Sequence, residues 1–205
     1  MFVSPKLMAR STTMPTPIEQ TIQEVFALYD QFGADDYIGE PVSQVEHMCQ
    51  SAQLAQREGH GPEVILAAFF HDIGHLCAHL GHYENMAGYG VKRHEQIGAD
   101  FLRSKGFSEK IAKLVENHVQ AKRYLTFSQP AYFAALSEAS RKTLEHQGGK
   151  MTETEASSFE NDPWFELSIK MRTWDKLAKE TNVPLPDLAD FKALAHQHLA
   201  IEPSV

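Results

Sequence analysis

Cysteine is almost absent. Cys49 and Cys77 are the only two in 205 residues, too few for a disulfide framework, so the chain is expected in a reducing cytoplasm, with both thiols as small core residues. Long apolar runs are missing as well. No stretch approaches the roughly 18 apolar residues of a membrane span, and Met1 to Met14 lacks the apolar centre of a signal peptide. Residues 1–15 therefore read as a flexible tail, and no membrane partner is expected. Positive charge is also scarce: 19 Lys and Arg stand against 27 Asp and Glu, a net charge of -8, which argues against nucleic acid as a partner. An anionic ligand would have to be drawn in by a local cluster of cations. Alternating apolar and polar runs, internal repeats and low-complexity tracts are lacking too, and nothing in the sequence calls for an obligatory protein partner.

What is present is helical throughout. Thr16-Pro17-Ile18-Glu19 is a capping box with proline at the first helical position, and the helix it opens carries the stripe Ile22, Val25, Phe26, Tyr29 before Gly33 stops it. A polar loop, 35–40, leads to a second helix over about 43–58, with Val45, Met48, Ala52 and Ala55 on one face and His47 beside it. A third begins near Pro62 and reaches His71-Asp72. Residues 76–91 are Gly-rich and aromatic and read as a loop over a site. Further helices are expected at about 92–105, from Ser108 onward, and at about 130–146, 163–179 and 187–199, with Gln147 to Ser158 as a polar connection. The reading is one all-α domain over residues 16–205.

The run Val64 to Phe70 is apolar on every side, the signature of a buried helix, and it ends in His71-Asp72. Burying that pair is costly unless a cation balances the carboxylate and uses the imidazole. His47, His71, His94 and His118 are spaced 24, 23 and 24 residues apart, one helix plus one turn each, so four helices can each aim one imidazole at a common centre. Asp72 and Asp175 add carboxylates. Of the other histidines, His60, His79, His82, His146, His196 and His198 are expected at the surface or in loops.

His47, His71-Asp72 and Asp175 resemble the ligand pattern of the HD-domain proteins. With His94 and His118 it becomes the six-ligand, two-metal version: by analogy, His47, His71, Asp72 and Asp175 hold one ion, and Asp72 bridges to a second held by His94 and His118. Two imidazoles and one carboxylate are typical of non-haem iron that binds oxygen. A narrower resemblance spans Asp35 to about Leu199. Asp36-Tyr37-Ile38-Gly39-Glu40, Glu84-Asn85-Met86, Gly88-Tyr89-Gly90-Val91, Ala121-Lys122-Arg123-Tyr124-Leu125, Ser140-Arg141-Lys142-Thr143-Leu144-Glu145 and Arg172-Thr173-Trp174-Asp175 are similar to motifs of the mixed-valent diiron oxygenases that cleave carbon-phosphorus bonds.

That resemblance implies an HD-domain helical bundle with a dinuclear site in its core, two iron ions as an Fe(II)/Fe(III) pair, and dioxygen as co-substrate. It implies an organophosphonate substrate, 2-amino-1-hydroxyethylphosphonate or its N-trimethyl analogue, converted to phosphate plus glycine or glycine betaine. It also implies roles. Lys122, Arg172, Ser140 and His75 would bind the phosphonate, and Tyr37, Glu40, His75 and Lys122 would be the catalytic residues, Tyr37 and Glu40 also contacting substrate. Tyr37 and Glu40 would form a gate, the glutamate near the substrate nitrogen. Tyr37, Tyr83 and Tyr89 are candidate aromatic faces for a trimethylammonium. The main rival is an HD phosphohydrolase with two divalent metals activating water. A ring-cleaving polyol oxygenase similar to myo-inositol oxygenase and a non-catalytic HD domain are the remaining readings.

Overall fold

The structure, a computed structural model, describes residues 14–37 and 39–201. Most of the expected tail, and Ile38 of the gate motif, lie outside the described residues. Among the described residues the secondary structure is α1 (Pro17–Phe32), α2 (Gln44–Arg57), α3 (Pro62–Phe70), α4 (Ile73–Cys77), a 3-10 turn (Ala78–Leu80), α5 (His94–Ser104), α6 (Glu109–Ser128), α7 (Pro130–Ala134), α8 (Glu138–His146), α9 (Glu153–Glu160), α10 (Phe165–Leu177) and α11 (Leu188–Ile201). No strand occurs among these residues, only two isolated bridges. The capping box read at Thr16 and Glu19 is in place and Ser108 caps α6, while Ser43 with Glu46 forms a further capping box at the start of α2.

α3 is the axis of the bundle. All seven residues from Val64 to Phe70 are buried, because α2 and α6 pack against it, α10 touches it, and α11 and then α1 cover its other side. Tyr29 and Phe191 stack on Phe69 with ring centroids 4.6 and 4.3 Å away. The Tyr29 hydroxyl donates to the Phe69 carbonyl at 3.2 Å. Both cysteines are buried and free.

Three expectations need correction. The polar connection 147–158 contains most of α9, opened by a Thr152–Glu155 capping box and seated through buried Ala156 and Phe159. The helix expected over 130–146 is broken at Ser137, whose hydroxyl caps α8 by accepting the Ser140 N–H. The loop expected from 76 begins later, since α4 and the 3-10 turn carry the chain helically to Leu80. His198 is a further correction: it is buried, stacks on Phe107, and accepts the Ser108 N–H at 3.1 Å.

α3 stops where the site requires it. Neighbouring side chains on a continuous helix diverge by about 100°, so His71 and Asp72 could not both face one centre. Asp72 breaks the helix with φ -106° and ψ 12°, in the sparsely populated bridge region, and α4 sets off in a new direction. Gly74 then permits very close packing of α4 on α5. A Cβ there would lie 1.9 Å from the His94 carbonyl oxygen. Gly74→Ala is therefore expected to destabilise the fold by about 3 kcal/mol, as overpacking does, and to displace His94. Denaturant unfolding checks the first effect and metal counting the second; wild-type stability would show that α4 and α5 can separate freely.

Candidate metal centre

Four helices and the α3–α4 junction deliver six side chains to one buried point. His47 comes from α2, His71 and Asp72 from the junction, His94 from the start of α5, His118 from the middle of α6 and Asp175 from α10, and all six are buried. The imidazoles share one anchoring device. The Nδ1 of His71, His94 and His118 each lies 2.6–3.2 Å from the carbonyl three residues before it, of Ala68, Val91 and Val115. His47 Nδ1 lies 2.8 Å from the Ala178 carbonyl. A carbonyl can only accept, so each Nδ1 carries a proton, and in the neutral ring Nε2 is the lone pair, the form a metal ligand takes.

Those lone pairs face one another. His47 and His71 Nε2 are 3.0 Å apart, and His94 and His118 Nε2 are 3.1 Å apart. Two lone pairs at that distance repel unless a proton or a metal cation joins them, and donors held about 2.1 Å from a shared ion are separated by about 3 Å. Asp72 divides its oxygens between the two pairs: Oδ2 lies 3.5 and 3.4 Å from His47 and His71, Oδ1 lies 3.3 and 3.4 Å from His94 and His118. Asp175 Oδ1 sits 3.5 Å from His47 Nε2 and is buried with no hydrogen-bond partner. A nitrogen and oxygen donor set, lone pairs in apposition and an orphaned carboxylate oxygen all fit two metal cations bridged by Asp72. The thiolate-free set suits iron.

Charge follows the same logic. Burial opposes ionisation of Asp72 and Asp175, yet the histidines hold Asp72, and Arg172 followed by His47 holds Asp175, well below the usual carboxylate range. In the metal-free protein burial also opposes charging of His47, but the Asp175 and Asp72 carboxylates beside it outweigh that and push it up to about 9. A metal must displace this proton, so below the raised pKa the two compete. Metal affinity is expected to rise by about tenfold per pH unit from neutrality upward and to level off once His47 has lost its proton. Metal titrations at several pH values test this, and a flat profile over that range would contradict it.

His75 lies close enough to Asp72 and His94 to complete a donor triplet. Its Nδ1, however, accepts the Val91 N–H at 3.2 Å, so its Nε2 carries hydrogen and has no lone pair for a metal. Burial, then the neighbouring His94, drives its pKa down to about 3. It is a neutral donor stacked on His94 at 4.1 Å. Gly90, at φ +98°, makes room for it: a Cβ there would lie 2.6 Å from the His75 ring.

A cavity of about 60 Å³ opens on Asp72, His94, His118 and Asp175, and Tyr37, Glu40, His75, Lys122, Ser140 and Arg172 all line it. Lys122 is buried, and its ammonium donates to Thr143 Oγ1 at 2.6 Å and Gln147 Oε1 at 2.9 Å. Burial, then Arg172, holds its pKa well below the ordinary lysine value. Arg172 pairs with Asp175 and donates to the Tyr132 hydroxyl. Tyr37 stacks on His47 at 4.0 Å, and burial followed by Asp72 raises its pKa well above the usual phenol value. Glu40 is bound to Lys179 and Ser137. Tyr89 lines the cavity, but Tyr83 is 45% exposed outside it, which removes Tyr83 from the candidate aromatic faces.

Thr143, Gln147 and Lys179 also line the cavity, and sequence reasoning missed them. Ser140, Thr143 and Gln147 are spaced three and seven residues apart, one helix face, and that periodicity could have found Thr143 and Gln147. Lys179 lies two residues past the end of α10 and carries no such periodic signal.

Residues 45–178 match the HD domain family. The chain is 42% identical over 183 residues to an uncharacterized protein of Acanthamoeba polyphaga mimivirus, covering 89% of this chain and 84% of that protein. It is 36% identical over 176 residues to the 1-hydroxy-2-(trimethylamino)ethyl phosphonate dioxygenase (glycine-betaine-forming) of Leisingera caerulea, covering 86% of this chain and 89% of that enzyme. It is also 36% identical over 176 residues to the hydroxymethylphosphonate dioxygenase of Gimesia maris, covering 86% of each chain. With its six converging ligands and these relatives over most of its length, the chain belongs to the HD-domain family, in the group that contains the phosphonate dioxygenases.

Proposed function

We propose that the chain is an iron-dependent dioxygenase that cleaves the C–P bond of a 1-hydroxyphosphonate. The observation that carries this reading is the division of Asp72 between two histidine pairs, in a cavity that also holds Lys122, Ser140 and Arg172. The reaction balances as RCH(OH)PO3H2 + O2 → RCOOH + H3PO4, so C1 loses its hydrogen and its phosphorus and reaches the carboxylic acid level. Two iron ions, read from the resemblance as an Fe(II)/Fe(III) pair, would supply oxygen activation and a cationic seat for the hydroxyl and phosphonate oxygens, held by His47, His71, Asp72 and Asp175 on one side and by Asp72, His94 and His118 on the other.

The remaining work falls to side chains of this chain. Lys122, already desolvated, gains an anionic partner when a phosphonate enters, and charge-assisted hydrogen bonds of this kind are among the stronger ones. His75 can donate from Nε2 and, being neutral, brings no charge that would repel a metal. Arg172 keeps Asp175 ionised and fixed in orientation. Tyr37 lies flat on His47 and closes the cavity on that side, which limits water near the reacting carbon.

The two dioxygenase relatives differ by name in the C1 substituent, so three substrates should be tried: hydroxymethylphosphonate, 2-amino-1-hydroxyethylphosphonate and its N-trimethyl analogue. The test follows phosphate release against oxygen consumption on iron-loaded protein. Equal release and consumption from any of the three supports the reading. Phosphate release from esters without oxygen consumption would make the protein a hydrolase.

A further inference from the structure

We propose that Lys179 is a specificity-determining residue: it supplies, from the chain itself, the ammonium that a substrate amine would otherwise bring to Glu40, and so directs the pocket to 1-hydroxyphosphonates whose C1 substituent carries no positive charge. This rests on the phosphonate reading of the cavity. An ammonium in a protein pocket is met by two kinds of partner, a carboxylate and an aromatic face. Here both are engaged by one lysine. Lys179 Nζ lies 2.5 Å from Glu40 Oε1 and 5.6 Å from the centroid of the Tyr37 ring. The same Glu40 oxygen accepts the Ser137 hydroxyl at 2.8 Å. The Lys179 and Glu40 side chains are only 18% and 10% exposed, so the pair is held inside the cavity wall and not at its rim.

Charge counting gives the consequence. A cationic substituent must either displace Lys179 from Glu40 or share that one carboxylate with it, and in either case an extra positive charge is left in an enclosed space. A neutral substituent leaves the pair intact. The Lys179 charge then reaches the anionic end of the pocket, where, after burial and Arg172, it is among the charges that depress Lys122. Lys179 lies two residues past the end of α10, just after its C-cap Ala178 and four residues after the metal ligand Asp175.

Binding is measured by calorimetry on iron-loaded protein without oxygen, with hydroxymethylphosphonate, 2-amino-1-hydroxyethylphosphonate and its N-trimethyl analogue, and phosphate release with oxygen is followed in parallel. Wild type is expected to bind hydroxymethylphosphonate about tenfold or more tighter than either amine, the order of one charge-assisted contact. Lys179→Met should reverse that order, and Lys179→Arg should keep it. Tighter binding of an amine by wild type, or an unchanged ratio in Lys179→Met, overturns the assignment; the wild-type ranking decides even where the variant does not fold. The expected order without oxygen-dependent phosphate overturns the dioxygenase reading and leaves the role of Lys179 standing. An opposite order with oxygen-dependent phosphate does the reverse. No binding of any of the three overturns both.

Discussion

Asp72→Ala is expected to empty both metal sites at once. Its two oxygens lie 3.3–3.5 Å from four different imidazole nitrogens, so one side chain completes both coordination sets. Its loss leaves His47, His71 and Asp175 on one side and only the two neutral imidazoles of His94 and His118 on the other. Two neutral donors without a carboxylate hold iron poorly, and the second site should fail outright. The first keeps one anion, but Arg172 already competes for it. On the dioxygenase reading proposed above, activity should fall by on the order of 10³ or more, because side chains cannot replace what the metals would supply. Iron content per chain is the deciding measurement, read beside circular dichroism to show that the helices persist. His94→Ala is the contrast: it should cost the second ion and spare the first. Two irons retained in Asp72→Ala would remove the bridge.

Much of this centre was legible in the sequence because its signals are local or periodic. The caps at Thr16 and Ser108 are short local patterns, and each opens the helix it announces. The apolar stretch ending at His71-Asp72 announces a buried helix carrying something it cannot bury alone. The even spacing of His47, His71, His94 and His118 pointed to residues that the fold brings together, but not for the reason of equal helix–turn units: they sit near the start of α2, at the end of α3, at the start of α5 and in the middle of α6, helices of 14, 9, 11 and 20 residues. What could not be read depends on contacts across the fold. Ser137 breaks a helix by capping the next one while its hydroxyl also serves Glu40, a partner 97 residues away. His198 faces inward because it takes the Ser108 N–H, 90 residues distant. α9 was hidden for another reason: its residues are mostly polar, and only Ala156 and Phe159 are buried. Its Thr152–Glu155 capping box was a readable signal all the same. The tautomer of His75, which rules it out as a ligand, depends on the Val91 N–H and has no trace in sequence.

Lys122→Ala is expected to raise KM by about 10- to 100-fold, the equivalent of losing one charge-assisted hydrogen bond of roughly 1.5–3 kcal/mol, while kcat changes much less. The Lys122 ammonium is held by Thr143 and Gln147 at 2.6 and 2.9 Å, two neutral acceptors that fix where it faces the cavity. A contact of that kind binds the phosphonate of substrate and transition state about equally, and uniform binding of this sort appears in KM. The sign of its pH dependence follows from burial and Arg172, which hold the Lys122 pKa well below the ordinary value. At a pH above that lowered pKa the free lysine is neutral, and an arriving dianion must draw a proton onto it. Substrate affinity should therefore weaken with rising pH in the wild type, and Lys122→Ala should lose that component of the profile. Thr143→Ala offers a check on placement: it keeps the charge, frees one side of the ammonium, and should raise KM by a smaller factor. If Lys122→Ala binds substrate with full affinity, Lys122 does not touch the phosphonate, and the anionic end of the cavity must be held by Arg172, Ser140 and the metals alone.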